Sequence, residues 1–261
     1  MGPVLDAALL KEIRNAHAAG QTIAVVTVVH QSGERAGERD KFIVNQGGAV
    51  TEFPSPAPVW YEQVLALTRK VLGSGKASDL VEVSTGEGSV RVAVEVLRPQ
   101  TSLLIFGAGH VGHALALTAA LVGYKVTVID DRQEFLTRQR FPDTSINLVA
   151  SPFDQVTSSL EVTSSTAIVI VTRGHQYDEL CLKATIDSSA CYIGMIGSKR
   201  RVIAVYRRLT EAGVDPEKLA RVRAPIGLKI GAVSPQEIAV AILAEIIQTL
   251  SSRGASAGCA G

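Results

Sequence analysis

The segment Leu103–Gly112, Leu-Leu-Ile-Phe-Gly-Ala-Gly-His-Val-Gly, joins an apolar strand pattern to a glycine-rich turn and an alanine-rich helix. This order reads as a nucleotide-phosphate loop. Gly107 permits a sharp turn out of the strand, Gly109 lets the backbone approach a pyrophosphate, and Gly112 lets the helix pack close to the sheet. Free amides at the helix N-terminus then face the anion. Ala114–Leu121 continues the helix, and after Gly123 a second strand runs from Lys125 to Ile129 and ends at Asp130. That completes a βαβ unit. Asp130 stands 18 residues past Gly112, near the place where such units hold a ribose with an acidic side chain.

The chain has 261 residues, 46% of them hydrophobic, enough for one large domain or two small ones. A formal net charge of +1 gives no overall field that would favour nucleic acid or a membrane surface as partner. The three cysteines, Cys181, Cys191 and Cys259, form no C-x-x-C and no paired framework, which suits a reducing cytoplasm. Neither a secretory signal nor a membrane span is expected, because the apolar runs Ala114–Val122 and Ile238–Ile247 are too short to cross a bilayer.

Residues 1–98 read as a small mixed α/β domain. A helix is expected over Asp6–Ala19 and strands over Ile23–Val29 and Phe42–Val44. After the prolines at 54, 56 and 58 follow a helix over Tyr61–Leu72 and a pair of strands, Leu80–Ser84 and Val90–Val96. Residues 99–250 read as a Rossmann-like parallel sheet with helices on both faces, its later strands over Ile146–Val149, Ala167–Thr172 and Cys191–Ile196. Ser234–Leu250 closes the domain as a helix, with Ser234, Pro235 and Glu237 placed as an N-cap, a first helical residue and a capping-box partner. Residues 251–261, small and polar, are expected to be a disordered tail.

Four further groups carry candidate chemistry. His110 and His113 lie one helical turn apart, but no third ligand is apparent, so no protein-ligated metal is expected; His110 instead reads as a donor at the bound ligand. Asp130-Asp131-Arg132 closes the second strand. Asp130 favours a ribose hydroxyl and Arg132 a phosphate, which leaves NAD-like, NADP-like and other nucleotides open. Thr172-Arg173-Gly174-His175 follows an apolar strand, where Arg173 can clamp an anion and His175 can move a proton near neutral pH, with Tyr177 and Asp178 close behind. Gly197, Ser198 and Lys199 repeat the strand-to-glycine-to-helix logic and read as a second anion cradle, with the loop Ala224–Gly231 beside it. His110 and His175 are the candidate catalytic residues. Cys181 and Cys191 read as buried, inert thiols.

Gly107-Ala-Gly-His-Val-Gly, Val-Ile-Asp-Asp-Arg with Arg140-Phe-Pro following, Thr172-Arg-Gly-His, Ile193-Gly-Met-Ile-Gly-Ser-Lys-Arg and Pro225-Ile-Gly-Leu occur in one order. Together they resemble the XdhC/CoxI-type accessory proteins, the xanthine dehydrogenase maturation factors, over Arg91–Leu250. The resemblance implies a protein that binds the molybdenum cofactor, in its molybdopterin form, and protects it while a terminal sulfido ligand is installed with a cysteine desulfurase. It further implies help in inserting the cofactor into a molybdenum hydroxylase client. The N-terminal part departs from the family pattern: Gly33–Lys41 and Phe42-Ile-Val stand where a Gly-Ser-x-Pro and Gly-Ala-Lys segment is usual, and Thr51–Pro56 replaces a Gly-Gly-Cys turn. No cysteine precedes Cys181, so a role for an N-terminal cysteine does not transfer. The cofactor-binding set expected is Gly107, Gly109, His110, Gly112, Asp130, Arg132, Arg173, His175, Gly197, Ser198 and Lys199. Besides a cofactor chaperone, the glycine loop by itself suits an NAD- or NADP-dependent oxidoreductase or a nucleotide-sensing module. The apolar patterning is compatible with a homodimer, and the basic Lys199–Arg208 face with a partner surface.

Overall fold

The computed structural model describes residues 7–31, 41–45, 47–48, 57–85, 88–156 and 160–256. The chain divides into two compact units, with boundaries at Pro99/Gln100 and at Leu250/Ser251.

In the first unit, helix α1 (Ala7–Ala18) precedes strands β1 (Ile23–Gln31) and β2 (Lys41–Asn45), helix α2 (Tyr61–Gly73), and strands β3 (Ser78–Thr85) and β4 (Gly88–Leu97). The strands form one antiparallel sheet in the order β2-β1-β4-β3. Alternation along β1 explains how both faces are covered. Ala24, Val26 and Val28 pack with Val64 and Leu65 of α2, while Ile23 and Val25 pack with Leu9 of α1. The Asp6 cap, the segments 33–40 and 51–56, and part of the turn at 86–88 lie outside the described residues.

The second unit contains five parallel strands: β5 (Ser102–Phe106), β6 (Lys125–Asp130), β7 (Asn147–Ala150), β8 (Thr166–Ile170) and β9 (Tyr192–Met195). Their order is β7-β6-β5-β8-β9, so the chain reverses its direction of travel across the sheet between β5 and β8. Between and after the strands come helices α3 (His110–Leu121), α4 (Phe153–Val156), α5 (His175–Thr185), α6 (Lys199–Glu211), α7 (Pro216–Leu219) and α8 (Pro235–Ser256).

The continuous apolar runs Leu103–Phe106 and Ala167–Ile170 are what a sheet covered on both sides needs. Leu103 and Ile105 face α3 and α8, meeting Leu115, Ala119 and Ile242. Leu104 and Phe106 face the other way, toward Leu182 of α5 and Val205 of α6. Glu237 and Ser234 form the expected capping box: the Glu237 carboxylate accepts from Ser234 N at 2.9 Å and Glu237 N donates to Ser234 Oγ at 3.3 Å. The tail expected from residue 251 needs correction, because α8 runs on to Ser256. No proline halts a helix already under way, and each added residue gains one more backbone hydrogen bond. Residues 257–261 lie outside the described residues.

Candidate functional site

The glycine turn after β5 is built by close backbone approach. Gly107 has φ +115°, donates to Ile129 O at 2.8 Å, and has no room for a side chain: a Cβ there would stand 2.5 Å from Val171 O. A Cβ on Gly112 would collide with the Gly107 carbonyl oxygen. Gly109 differs from both. It is the N-cap of α3, makes no side-chain cap hydrogen bond, and a Cβ built there meets nothing within 4 Å. The turn is therefore rigid behind and open in front, and the first amides of α3 have no capping side chain.

Asp130 holds this turn from below. It is 1% exposed, and its carboxylate accepts from Ala108 N at 2.7 Å, from Arg132 N at 3.0 Å, and from the Arg132 guanidinium at 2.9 and 3.0 Å. Burial works to raise its pKa, but the bonds from Arg132 and the Ala108 amide outweigh it and hold the carboxyl below the usual range. The carboxylate expected at a ribose thus faces inward and ties the loop to the end of β6, while the part-exposed Arg132 guanidinium stacks on Phe135 at 3.8 Å. Arg140 completes the support, donating to Ala108 O at 2.9 Å and to Phe135 O at 2.6 Å. Both polar groups of Ala108 are thereby held from residues 22 and 32 positions away. His113 is structural: Nε2 lies 2.6 Å from Arg140 O and the ring meets Phe141 edge-on. His110, in contrast, is exposed on the first turn of α3.

Arg173 leaves the end of β8 and pairs bidentately with Asp131, at 3.0 and 2.7 Å, from the end of β6. Because β5 lies between those strands, this ion pair links the two strand ends on either side of the glycine turn. Tyr177 steadies it, accepting from Arg173 at 2.8 Å. His175 is the first residue of α5, and its side chain lies outside what the structure describes. Asp178, fully buried, accepts from Thr172 Oγ1 at 2.5 Å and from the Arg201 guanidinium. Burial raises its pKa against the opposing influence of these two partners.

At β9 the chain again passes through a glycine, Gly197 with φ +155°, into a helix. Here Ser198 caps α6 itself, its hydroxyl accepting from Arg201 N at 3.3 Å, and Lys199 is exposed at the rim of a cleft. The structure thus gathers Gly107, Gly109, His110, Gly112, Arg132 and Arg173 at the ends of β5, β6 and β8. Gly197, Ser198 and Lys199 stand at the end of β9, with β8 intervening. Sequence reasoning did not reveal the loop-holding role of Arg140 or the Asp178–Arg201 pair. The Arg140-Phe-Pro motif pointed to the first as a position, not as a contact. Among the described residues no three His, Cys, Asp or Glu side chains cluster as metal ligands would, and no helix is long and apolar enough to cross a membrane.

A parallel sheet whose order reverses beside a glycine turn, with an uncapped helix N-terminus above it, defines a Rossmann-type ligand-binding domain. Residues 103–246 match the XdhC Rossmann domain family, and the chain belongs to that family. Over 163 residues, 62% of the chain, it is 37% identical to the uncharacterized protein YqeB of Escherichia coli K12, covering 29% of that protein. It is 35% identical over 156 residues, 60% of the chain, to a probable xanthine dehydrogenase subunit of Bacillus subtilis 168, covering 45% of it. A third relative is the molybdenum cofactor insertion chaperone PaoD of E. coli K12, 25% identical over 57% of the chain and 40% of PaoD. The chain therefore spans less than half the length of each of these relatives. A solved structure described as a xanthine dehydrogenase from Bacillus halodurans shares the fold, with a TM-score of 0.55 and 19% identity over 94% of this chain and 96% of that one.

Proposed function

We propose that the protein is an accessory factor that binds the molybdenum cofactor as cargo and assists its sulfuration and insertion into a xanthine dehydrogenase-type molybdenum hydroxylase. The carrying observation is the open face of Gly109: a rigid turn presents helix amides without a capping side chain to a space where, among the described residues, a Cβ on Gly109 meets nothing within 4 Å. That space suits a terminal phosphate or a nucleotide diphosphate, and the cofactor brings one or the other together with a pterin whose edges hydrogen-bond. In this reading Gly107 and Gly112 shape the turn, Gly109 and His110 meet the phosphate, and Arg132 and Arg173 supply cations at the neighbouring strand ends. His175 meets the pterin, Gly197, Ser198 and Lys199 border its far side, and Asp130 positions the loop from within. Two relatives support the same reading by their names, one being a molybdenum cofactor chaperone and the other a probable part of a xanthine dehydrogenase. A cysteine desulfurase as working partner, a homodimer and a cytoplasmic location belong to the proposal.

The alternative of an NAD- or NADP-dependent oxidoreductase draws on the same turn. Against an NAD preference stands Asp130, whose acceptors are taken by Ala108 and Arg132, leaving a guanidinium in place of a free carboxylate at the end of β6.

The test is equilibrium binding of molybdenum cofactor, NAD and NADP to the purified protein in anaerobic buffer, with Gly109→Val as the probe variant. A side chain at 109 enters open space, so the fold survives while the turn is obstructed. Molybdenum cofactor retention weakened by about tenfold or more in the variant is the expected result, since charge-assisted hydrogen bonds are at stake. Retention equal to wild type, or tight NAD(P) binding without cofactor retention, would sink the proposal.

A further inference from the structure

At the carboxyl end of β9 the second unit contains a cleft of about 620 Å³. It lies between the first turn of α6, the chain from Val222 to Ala232, and the part of α8 that carries Ile238, Ala241 and Glu245. Three cations border it, Lys199, Arg223 and Lys229, and all three are exposed. Among the described residues none of their side chains makes a hydrogen bond or an ion pair.

Other cations of this unit are paired. Arg132, Arg173, Arg208 and Lys218 each have a carboxylate within 3.0 Å. Glu245 also lines the cleft and sets one carboxylate against the three cations; its Oε2 braces the loop, accepting from Tyr192 at 2.5 Å and from Gly227 N at 2.9 Å. The loop is fixed elsewhere too: Leu228 N donates to Ala241 O at 3.1 Å, and a Cβ on Gly194 would run into the Ile226 side chain. A concave surface with three cations free of ion pairs, one carboxylate and a braced backbone keeps a net positive lining, although the chain as a whole carries only +1.

We propose that this cleft is a second anion-binding site, distinct from the glycine turn, which takes a phosphate-type oxyanion through Lys199, Arg223 and Lys229. With β8 between β5 and β9, the two strand ends stand about 10 Å apart, further than one pyrophosphate reaches. Lys199 stands on the border shared with the proposed cofactor site, whereas Arg223 and Lys229 belong to the cleft alone, so an oxyanion held by that pair stands whichever ligand the glycine turn holds. The oxyanion arrives free or carried on a larger molecule.

The experiment is titration of the full chain with inorganic pyrophosphate at low salt, followed residue by residue by amide NMR shifts. Saturable shifts at Gly197–Lys199 and Gly227–Gly231 are expected. In an Arg223→Glu/Lys229→Glu variant the cleft affinity should fall by about tenfold or more, with Gly107–Gly112 responding as in wild type. In Gly109→Val the cleft response should persist. Comparing ADP with pyrophosphate separates the sources: tighter ADP binding at the cleft assigns it a carried phosphate, equal binding a free one. Shifts confined to Gly107–Gly112, a cleft response undiminished in the double variant, or its loss in Gly109→Val would each overturn the proposal. None of these outcomes bears on cofactor retention by the glycine turn.

Discussion

The turns after β5 and after β9 share a plan: an apolar strand, a glycine with positive φ, then a helix whose N-terminus points past the sheet edge. They are stabilised in opposite ways. The first is locked by backbone contacts, Gly107 against Val171 and Gly112 against Gly107, and α3 is left without a side-chain cap. The second has looser surroundings, the flexible Arg201 side chain being nearest to a Cβ on Gly197 at 3.3 Å, and Ser198 caps its own helix. Each also leans on an Asp–Arg pair, but Asp130 is held ionised by four donated hydrogen bonds whereas Asp178 is dominated by burial. A turn whose free amides face open space is suited to an external anion. A turn that satisfies part of its own helix end needs side-chain cations nearby to do the same.

Glycine replacements break this contrast most directly. Gly112→Ala places a methyl group on a backbone carbonyl that cannot yield, and a loss of about 3 kcal/mol or more, or failure to fold, is expected in urea denaturation. Gly197→Ala, strained only by its φ, should cost about 1–2 kcal/mol. Equal costs would mean that the two turns are not built differently.

The Asp–Arg pairs come next. Asp130→Asn should cost about 2 kcal/mol at neutral pH, because the buried acceptor of Arg132 and of the Ala108 amide loses its charge. The pH dependence has a definite sign. The folded pKa of Asp130 lies below its unfolded value of about 4, so its stabilisation is present above that value and is lost as pH falls through the folded pKa. For Asp178 the folded pKa is raised, so its contribution is largest below the unfolded pKa and declines as pH rises through the folded one. Denaturation of wild type, Asp130→Asn and Asp178→Asn between pH 3 and 7 should show the Asp130→Asn penalty shrinking toward acid. The Asp178→Asn penalty should instead shrink, or turn into a gain, toward neutral pH. Parallel curves would remove the distinction.

Caps give the smallest stability effects. Ser198→Ala should cost about 1 kcal/mol through loss of the α6 cap. Gly109→Val should lower the melting temperature by no more than about 2–4 °C, the cost of a valine at an N-cap, because its Cβ meets nothing within 4 Å. A large loss of stability there would show that the space before the first turn is not open.

The β5–α3–β6 unit was legible because everything that specifies it is local: unbroken apolar runs for a doubly covered sheet, glycines where strand and helix meet, and a period change between them. The capping box of α8 was legible for the same reason, since its partners are three residues apart. Asp130 was legible as a position but not as a role. Its partner Ala108 lies 22 residues upstream, and no spacing in the sequence says whether a carboxylate at a strand end turns inward to an amide or outward to a ligand. Arg140 reaches Ala108 across 32 residues and Arg201 reaches Asp178 across 23. Arginines at those separations look in the sequence like solvated surface charges.

By itself, then, the sequence determined the strands, the glycine turn and the family pattern, because periodicity and backbone sterics act over a few residues. The tertiary structure decided which charges are consumed in holding loops, as at Asp130, Arg140 and Asp178, and which remain uncommitted, as at Lys199, Arg223 and Lys229. That choice depends on distances between strand ends that are set only when the sheet assembles.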